Sequence, residues 1–339
     1  MSKGQYRVGH RRSRLIPVLG AVVVSLLLAG CGKDKPQVTV GLITKQETNP
    51  FFVTMREVAQ KTAGEDNVKL LTATGKSDVD NASQVAAIEN MTARGAKGIL
   101  ITPADSTAIV PAIEKARRAG LIVIALDTPT QPGSAVDALY ATDNRKAGEL
   151  IGRYAKAKAA GSDPKIAMLD LAPGITSGQL RHDGFLSGFG IGPGDPEIVG
   201  SVNTEGNKVK ARAGMAQLLK AHPDINVVYT VNEPAAFGAA DALKAAGKSD
   251  RDVVLVSVDG GCDAIKKGIR PGIIDATAQQ YPENMANKGV EAIAAAARGG
   301  PKPSGYLDTG VELITDAPVK GLPSKNEAFG VRNCWGKRP

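Results

Sequence analysis

Short runs rich in valine, isoleucine and leucine recur along this chain, and each is followed by a segment with helical periodicity. One series runs from Val38 to Leu126, and a second resumes at Lys165 and continues to Ala278. Strands that are apolar throughout and separated by helices are typical of parallel sheets covered by helices on both faces. Two such series predict an α/β protein with two doubly wound parallel-sheet lobes.

Polar side chains follow the predicted strands at their carboxyl ends in both series. Ligands bind beyond those ends in open parallel sheets, so these positions are candidates for a binding site. They include Lys45, Asn49, Asp127, Asn232, Glu233, Asp259 and Gln280. Taken singly, Asp127 or Asp259 would equally serve to cap the next helix. Their recurrence at the same end of both series favours one shared site.

The segment Asn49-Pro50-Phe51-Phe52 combines a helix start with two adjacent rings. Asparagine is a good N-cap and proline is favoured at the first helical position, so both phenylalanines fall in the opening turn. Neighbours on a helix point about 100° apart, so both rings are not expected to face one core. Either both are nevertheless core residues, or one of them belongs to the site.

The N-terminus has the features of an export signal. Its first 30 residues contain no acidic residue. A basic start is followed by an apolar run from Leu15 to Cys31. That run is too short, and too interrupted by Pro17, for a membrane span of about 20 residues. Leu28-Ala29-Gly30-Cys31 resembles a bacterial lipobox, which implies cleavage before Cys31 and a diacylglyceryl anchor on it. An ordinary signal peptide with an incidental cysteine is the alternative.

The charge and the cysteines bear on function class. The formal net charge is +8, and five of those charges lie within the signal, so no basic surface for nucleic acid is expected. With Cys31 lipidated, Cys262 and Cys334 remain as an even pair in an oxidising compartment. We interpret them as a disulfide; a metal site and two free thiols are the alternatives.

The motifs for enzyme chemistry are poor. Gly75-Lys76-Ser77 and Gly247-Lys248-Ser249 lack the earlier glycine of a phosphate loop. No G-x-S-x-G or H-E-x-x-H pattern is present. His182 and His222 have no evident nucleophile beside them. We therefore predict no catalytic residues, no cofactor and no metal site.

Carboxylates, amides, an arginine and two rings make up a set of groups that suits a sugar. Hydroxyls need donors and acceptors, and the C–H faces of a sugar ring pack on aromatic side chains. The chain resembles the ribose/galactose type of periplasmic sugar-binding protein along nearly its whole mature length. It is most similar to fructose-binding proteins of ABC importers through stretches that include GLITKQETNPFFVTMRE, DINVVYTVNEPAAFGAADALKAAGK, VSVDGGCDAIKKG and CWG.

This resemblance implies the type I periplasmic binding protein fold, with two lobes joined by a three-strand hinge. Residues 1–30 would be the signal and 31–36 a tether. The first lobe would comprise 37–140 and 281–305, and the second 141–280 and 306–339. The positions that match the family's sugar contacts are Asn49, Phe51, Phe52, Asp127, Arg181, Asn232, Asp259 and Gln280. One departure is Thr128, since ribose binders carry arginine directly after this aspartate.

The expected function is that of a monomeric, lipid-anchored receptor on the outer face of the cytoplasmic membrane. It would bind a monosaccharide, fructose in first place, and deliver it to an ABC transporter permease. Ribose or another pentose or hexose is the alternative ligand, and a chemotaxis or signalling receptor the alternative role. A sugar-responsive repressor would need a DNA-binding helix-turn-helix where this chain carries a signal.

Overall fold

A computed structural model describes residues 1, 3–5, 7, 9, 36–249 and 252–336. The strands are β1 Val38–Thr44, β2 Val68–Thr74, β3 Gly98–Ile101, β4 Ile122–Leu126, β5 Ala138–Ala141, β6 Ile166–Asp170, β7 Ile198–Asn203, β8 Val227–Thr230, β9 Val254–Asp259, β10 Ala276–Gln279, β11 Gly305–Asp308 and β12 Glu312–Ile314. The helices are α1 Pro50–Glu65, α2 Asn81–Ala93, α3 Val110–Arg118, α4 Asn144–Lys158, α5 Thr176–Phe189, α6 Lys208–Ala221, α7 Glu233–Ala245, α8 Pro282–Ala297 and α9 Glu327–Asn333.

Within the described residues the strands form two six-stranded sheets. Their orders are β2-β1-β3-β4-β5-β11 in the first lobe and β7-β6-β8-β9-β10-β12 in the second. Neighbouring strands run parallel, apart from the antiparallel pair of β10 and β12. The chain passes between the sheets after β5, after β10 and after β11. The predicted pair of parallel-sheet lobes and the three-crossover hinge are confirmed.

The central strands are buried because helices cover both faces of each sheet. All four residues of β3 and all four of β8 are buried, as the continuous apolar runs predicted. β11 pairs with β5, so the first sheet continues through Asp308. The first lobe was predicted to end at residue 305. That position is the first residue of β11, which joins the first sheet before the chain crosses to the second lobe.

A disulfide joins Cys262, in the loop after β9, to Cys334, just after α9. The two Cα atoms are 4.9 Å apart. This bond fixes the C-terminal segment to the second lobe beside the hinge.

The N-terminal predictions cannot be placed on this fold. Cys31 lies outside the described residues, as do most positions of the predicted signal and tether. Among the helices that are described, none is both long enough and apolar enough to cross a membrane.

Candidate functional site

A cavity of about 20 Å³ lies between the two lobes. A space of this size holds about one water molecule, so the lobes stand close together. A wider groove of about 380 Å³ lies beside it and shares Asn49 with it. The structure brings the whole predicted contact set to the small cavity, which is lined by Asn49, Phe51, Phe52, Asp127, Arg181, Asn232, Asp259 and Gln280.

Arg181 is the centre of the cavity's hydrogen-bond network. Its Nη2 donates to Asp127 Oδ1 at 3.2 Å, and its Nη1 lies 3.5 Å from Asp259 Oδ1. Its Nε donates to Asn144 Oδ1 at 2.7 Å, and Nη1 also donates to the Val231 carbonyl at 3.0 Å. Asp127 belongs to the first lobe and Arg181 to the second, so this buried ion pair joins the lobes.

Close packing of α4 on α5 places Arg181. A Cβ on Gly148 would lie 2.1 Å from the Arg181 carbonyl oxygen, and one on Gly184 would lie 2.1 Å from the Arg145 carbonyl oxygen. Any side chain at these glycines would collide with the facing backbone. The glycines let the two helices touch, which brings the guanidinium to the cavity.

Asp127 and Asp259 occupy equivalent places after β4 and at the end of β9. Both have positive φ, 61° and 99°, a backbone region that non-glycine residues rarely adopt. Such conformations cost free energy and cluster at ligand sites. Neither aspartate caps the helical segment that follows it: Pro132 precedes the short helical turn Gly133–Ala135, Asp143 caps α4, and Asp263 precedes the helical segment Ala264–Ile269. The capping alternative is therefore wrong for both.

Asp259 is held by several partners inside the cavity wall. Its Oδ1 accepts a hydrogen bond from Gln280 Nε2 at 2.6 Å, and its Oδ2 accepts one from Glu233 N at 3.4 Å. Burial raises the pKa of Asp259, and the charge of Arg181 opposes that rise. Gln280 Oε1 is buried and has no hydrogen-bond partner among the described residues. An acceptor is therefore left open at the cavity.

The two asparagines combine a structural task with a place on the cavity wall. Asn49 caps α1 by accepting a hydrogen bond from Phe51 N at 3.0 Å. Asn232 caps α7 by accepting one from Ala235 N at 3.0 Å, and its Nδ2 donates to the Gly206 carbonyl at 3.2 Å. Helix N-termini from both lobes thus point at the site.

Both Phe51 and Phe52 line the cavity. The angle between neighbouring residues on a helix had indicated only that one of the two rings would belong to the site. Their ring centroids are 5.4 Å apart and the planes meet at 84°. Both rings also belong to the buried core of the first lobe. The first turn of α1 points into the cleft at its N-terminus, so core and cavity are continuous there.

Further buried polar residues line the cavity outside the predicted contact set. Lys45, which directly follows β1, is only 1% exposed, and its Nζ donates to Thr128 Oγ1 at 3.0 Å. Thr128 in turn donates to Asp127 Oδ2 at 2.8 Å, and its Oγ1 lies 2.8 Å from Ser177 Oγ in the second lobe. Burial lowers the pKa of Lys45, while the charges of Asp127 and Asp78 oppose the decrease. The position of Lys45 after a strand was visible in the sequence, but its burial was not.

Asp78 is a cavity residue that the sequence did not single out. Helix α2 begins at Asn81, with Asp80 as its cap. Asp78 therefore lies in the loop before the helix, where its Oδ1 accepts a hydrogen bond from Gln46 Nε2 at 2.6 Å. Burial raises the pKa of Asp78, and the charge of Lys45 opposes the rise.

His182 and His222 lie apart from the cavity. His182 follows Arg181 in α5, and its Nδ1 lies 2.8 Å from Asp170 Oδ1, a contact that raises its pKa. His222 is the C-cap of α6. Neither lines the cavity.

Backbone and side-chain hydrogen bonds close the lobes over the cavity. Ser106 N donates to the Gly174 carbonyl at 2.9 Å, and Thr176 N donates to Ser106 Oγ at 3.1 Å. Ser106 is in the first lobe and the other two residues are in the second. The described conformation is thus a closed one.

Over residues 40–301 the chain matches the periplasmic binding protein domain. The ribose import binding protein of Escherichia coli (strain K12) is 32% identical over 278 residues, which cover 82% of this chain and 90% of that protein. The D-ribose/D-allose-binding protein of Pseudomonas aeruginosa is 30% identical over 322 residues, covering 91% of this chain and 99% of that protein.

Solved structures of similar proteins agree with this match. An ABC transporter solute binding protein from Agrobacterium vitis with bound D-fucose superposes with a TM-score of 0.77 at 26% identity, covering 88% of this chain and 99% of that one. One from Actinobacillus succinogenes with bound D-allose has a TM-score of 0.73 at 27% identity, covering 82% and 97%. The chain therefore belongs to the periplasmic binding protein domain family, together with these sugar-binding transport proteins, and it is a binding protein and not an enzyme.

Proposed function

We propose that this protein is the lipid-anchored solute receptor of an ABC sugar importer, and that it closes its lobes over one monosaccharide, fructose. The observation that carries the proposal is the buried bridge of Arg181 between Asp127 of the first lobe and the second lobe. The sugar-binding names of the relatives support the class of ligand. The proposed sugar contacts are Asn49, Phe51, Phe52, Asp127, Arg181, Asn232, Asp259 and Gln280.

The cavity offers the groups that a monosaccharide needs. Asp127 and Asp259 supply acceptors, and Arg181 supplies charge-assisted donors. The free Oε1 of Gln280 is an acceptor for a further hydroxyl. Phe51 and Phe52 supply apolar surface for the C–H faces of the ring. Because a cavity of about 20 Å³ has room for only about one water molecule, the lobes must separate for a sugar to enter and must close less far around it.

Lys45 and Thr128 are our reason for ranking fructose above ribose. The ribose pattern has arginine directly after the first-lobe aspartate, and this chain has Thr128 there. In the structure a different cation, Lys45, reaches Thr128 from the end of the first strand. An ammonium is a compact point donor, whereas a guanidinium is a planar fork, so the two favour different arrangements of hydroxyls. Ribose or another pentose or hexose is the second candidate.

We expect Lys45→Met to lower fructose affinity about 10- to 150-fold, because the loss of a hydrogen bond from a charged donor costs about 1.5–3 kcal/mol of binding free energy. Protein stability should fall as well, because the buried carboxylates Asp78 and Asp127 lose the cation that faces them. Calorimetric titration with fructose and with ribose measures both affinities and their ratio. Lys61→Met is the control, since Lys61 is exposed and pairs with Glu65 on the surface of α1. Unchanged affinity and an unchanged ratio would remove Lys45 from the proposed site.

The transport role is tested in cells. A strain that lacks the protein should lose high-affinity uptake of labelled fructose, and the wild-type gene should restore it. The Arg181→Met gene should not restore uptake. If the deletion abolishes only a chemotactic or signalling response to the sugar and leaves its uptake intact, the protein is a sensor and the transport role is wrong.

Anchoring is proposed to depend on Cys31. We expect the Cys31→Ser protein to appear in the soluble or unprocessed fraction, because two acyl chains give stable membrane binding that a polypeptide without them lacks. Cell fractionation with a metabolic lipid label measures this, and Lys33→Ala in the tether is the control. Normal processing and full membrane retention of Cys31→Ser would contradict the anchor.

A further inference from the structure

Trp335 lies in the C-terminal segment but packs in the first lobe. Its segment follows α9, which lies against β12 and the π-helical segment Ala264–Ile269 of the second lobe. The indole is 3% exposed and belongs to the same buried core as Phe51 and Phe52. Its ring centroid lies 5.5 Å from that of Phe51, with the planes at 80°. A second-lobe segment thus supports a first-lobe ring of the cavity.

The indole is also tied to a crossover between the lobes. Trp335 Nε1 donates to the carbonyl of Gln280 at 2.7 Å. Gln280 stands between β10 and α8, and its own side chain holds Asp259. The Trp335 side chain therefore contacts both Phe51, a ring that lines the cavity, and Gln280, the crossover residue whose side chain holds Asp259.

The disulfide fixes the position of Trp335. Cys334 precedes it and is bonded to Cys262, while Cys262 N donates to the Trp335 carbonyl at 2.9 Å. A Cβ on Gly261 would lie 3.1 Å from the indole ring, so the ring rests on the Gly261 backbone. Trp335 is held covalently on one side and by close backbone contact on the other.

We infer that Trp335 is a positioning residue for the binding cavity: it braces Phe51 against the cleft, and the Cys262–Cys334 disulfide holds it there. The effect on affinity rests on the proposed sugar-binding function, whereas the bracing of the α1 start does not. An offset or edge-to-face ring pair contributes about 0.5–1.5 kcal/mol beyond its buried area, which converts to about 2- to 12-fold in affinity. The disulfide therefore acts on the cavity as well as on stability.

The test combines a sugar-free and a sugar-dependent measurement. Hydrogen exchange of peptides that span residues 49–55 should speed up in Trp335→Leu and in the Cys262→Ser/Cys334→Ser variant. Trp335→Phe, which keeps a ring but loses the Gln280 bond, should lie between Trp335→Leu and wild type. Phe189→Leu is the control, because Phe189 is a buried second-lobe ring that packs on Phe185 away from the cavity. Exchange in residues 49–55 that is unchanged, or that changes equally in Phe189→Leu, would overturn the inference.

Affinity gives the second measurement, with fructose and ribose as the probes. Trp335→Leu should weaken the tighter-binding sugar about tenfold, and combining it with Phe51→Leu should cost less than the sum of the two changes. Trp335 is the single tryptophan of the chain, so its emission should shift when sugar binds the wild type. Wild-type affinity in Trp335→Leu would overturn the inference while leaving the sugar site intact. If neither sugar binds the wild type, the ligand assignment fails, and the exchange result decides the bracing role by itself.

Discussion

Replacing Arg181 with methionine is expected to abolish measurable tight binding, with a loss in sugar affinity of more than a hundredfold. The guanidinium donates to Asp127 and to the Val231 carbonyl, and it lies 3.5 Å from Asp259. Removing one partner from a buried, hydrogen-bonded charge set costs about 3–5 kcal/mol of unfolding free energy, because the remaining carboxylates are left buried without their cation. A loss of the same size in binding free energy corresponds to more than a hundredfold in sugar affinity. Titration calorimetry and denaturant unfolding measure the two losses.

The pH dependence of this variant follows from Asp259. Burial already raises its pKa, and Arg181 opposes that rise, so removing Arg181 raises the pKa further. A folded-state pKa above the unfolded value means that the folded protein binds more protons, and its stability falls as the pH rises through that interval. The stability deficit of Arg181→Met should therefore be smaller at pH 5 than at pH 8.

Arg145→Met is the matched control for Arg181→Met. Arg145 lies on the facing helix α4, is exposed, and makes a 3.5 Å surface pair with Asp183. Exposed pairs contribute about 0–1 kcal/mol, so this variant should bind and unfold nearly as the wild type does. Equal effects of the two substitutions would contradict the role given to Arg181.

Loss of the disulfide is expected to cost about 4 kcal/mol of unfolding free energy. Cys262 and Cys334 are 72 residues apart, and the chain-entropy model gives a crosslink of that span about this value. Equilibrium unfolding of Cys262→Ser/Cys334→Ser, compared with oxidised wild type, measures it. Wild type unfolded in the presence of a thiol reductant is the control and should match the double variant. A difference below about 1 kcal/mol would show that the bond constrains little of the unfolded chain.

Sequence patterns predicted the fold because parallel strands buried on both faces leave a strong apolar signal. The run Val38–Thr44 is a strand with the limits that its composition indicated. The ends of strands that depend on contacts with other parts of the chain were harder to predict from the sequence. The run from Gly272 to Ala278 reads as apolar, but β10 begins only at Ala276, since the preceding residues form turns.

The cavity residues divide in the same way. Asp127 and Asp259 stand at strand ends, a topological position that sequence can reveal. Their positive φ values, and the burial of Lys45 beside Thr128, depend on how the two lobes meet. Contacts between residues 83 positions apart leave no periodic signal. Trp335 beside Phe51 is a similar case, because the final helix and the disulfide bring the C-terminal segment to the first lobe from a distant part of the chain.

Calorimetric titration of the purified protein with fructose, ribose and allose tests the central proposal most directly. We expect one-to-one binding, with fructose the tightest of the three and ribose clearly weaker. Tighter binding of ribose or allose would contradict the ligand assignment. Absence of binding for all three, and for a panel of other pentoses and hexoses, would contradict the proposal that the cavity between Asp127 and Arg181 receives a monosaccharide.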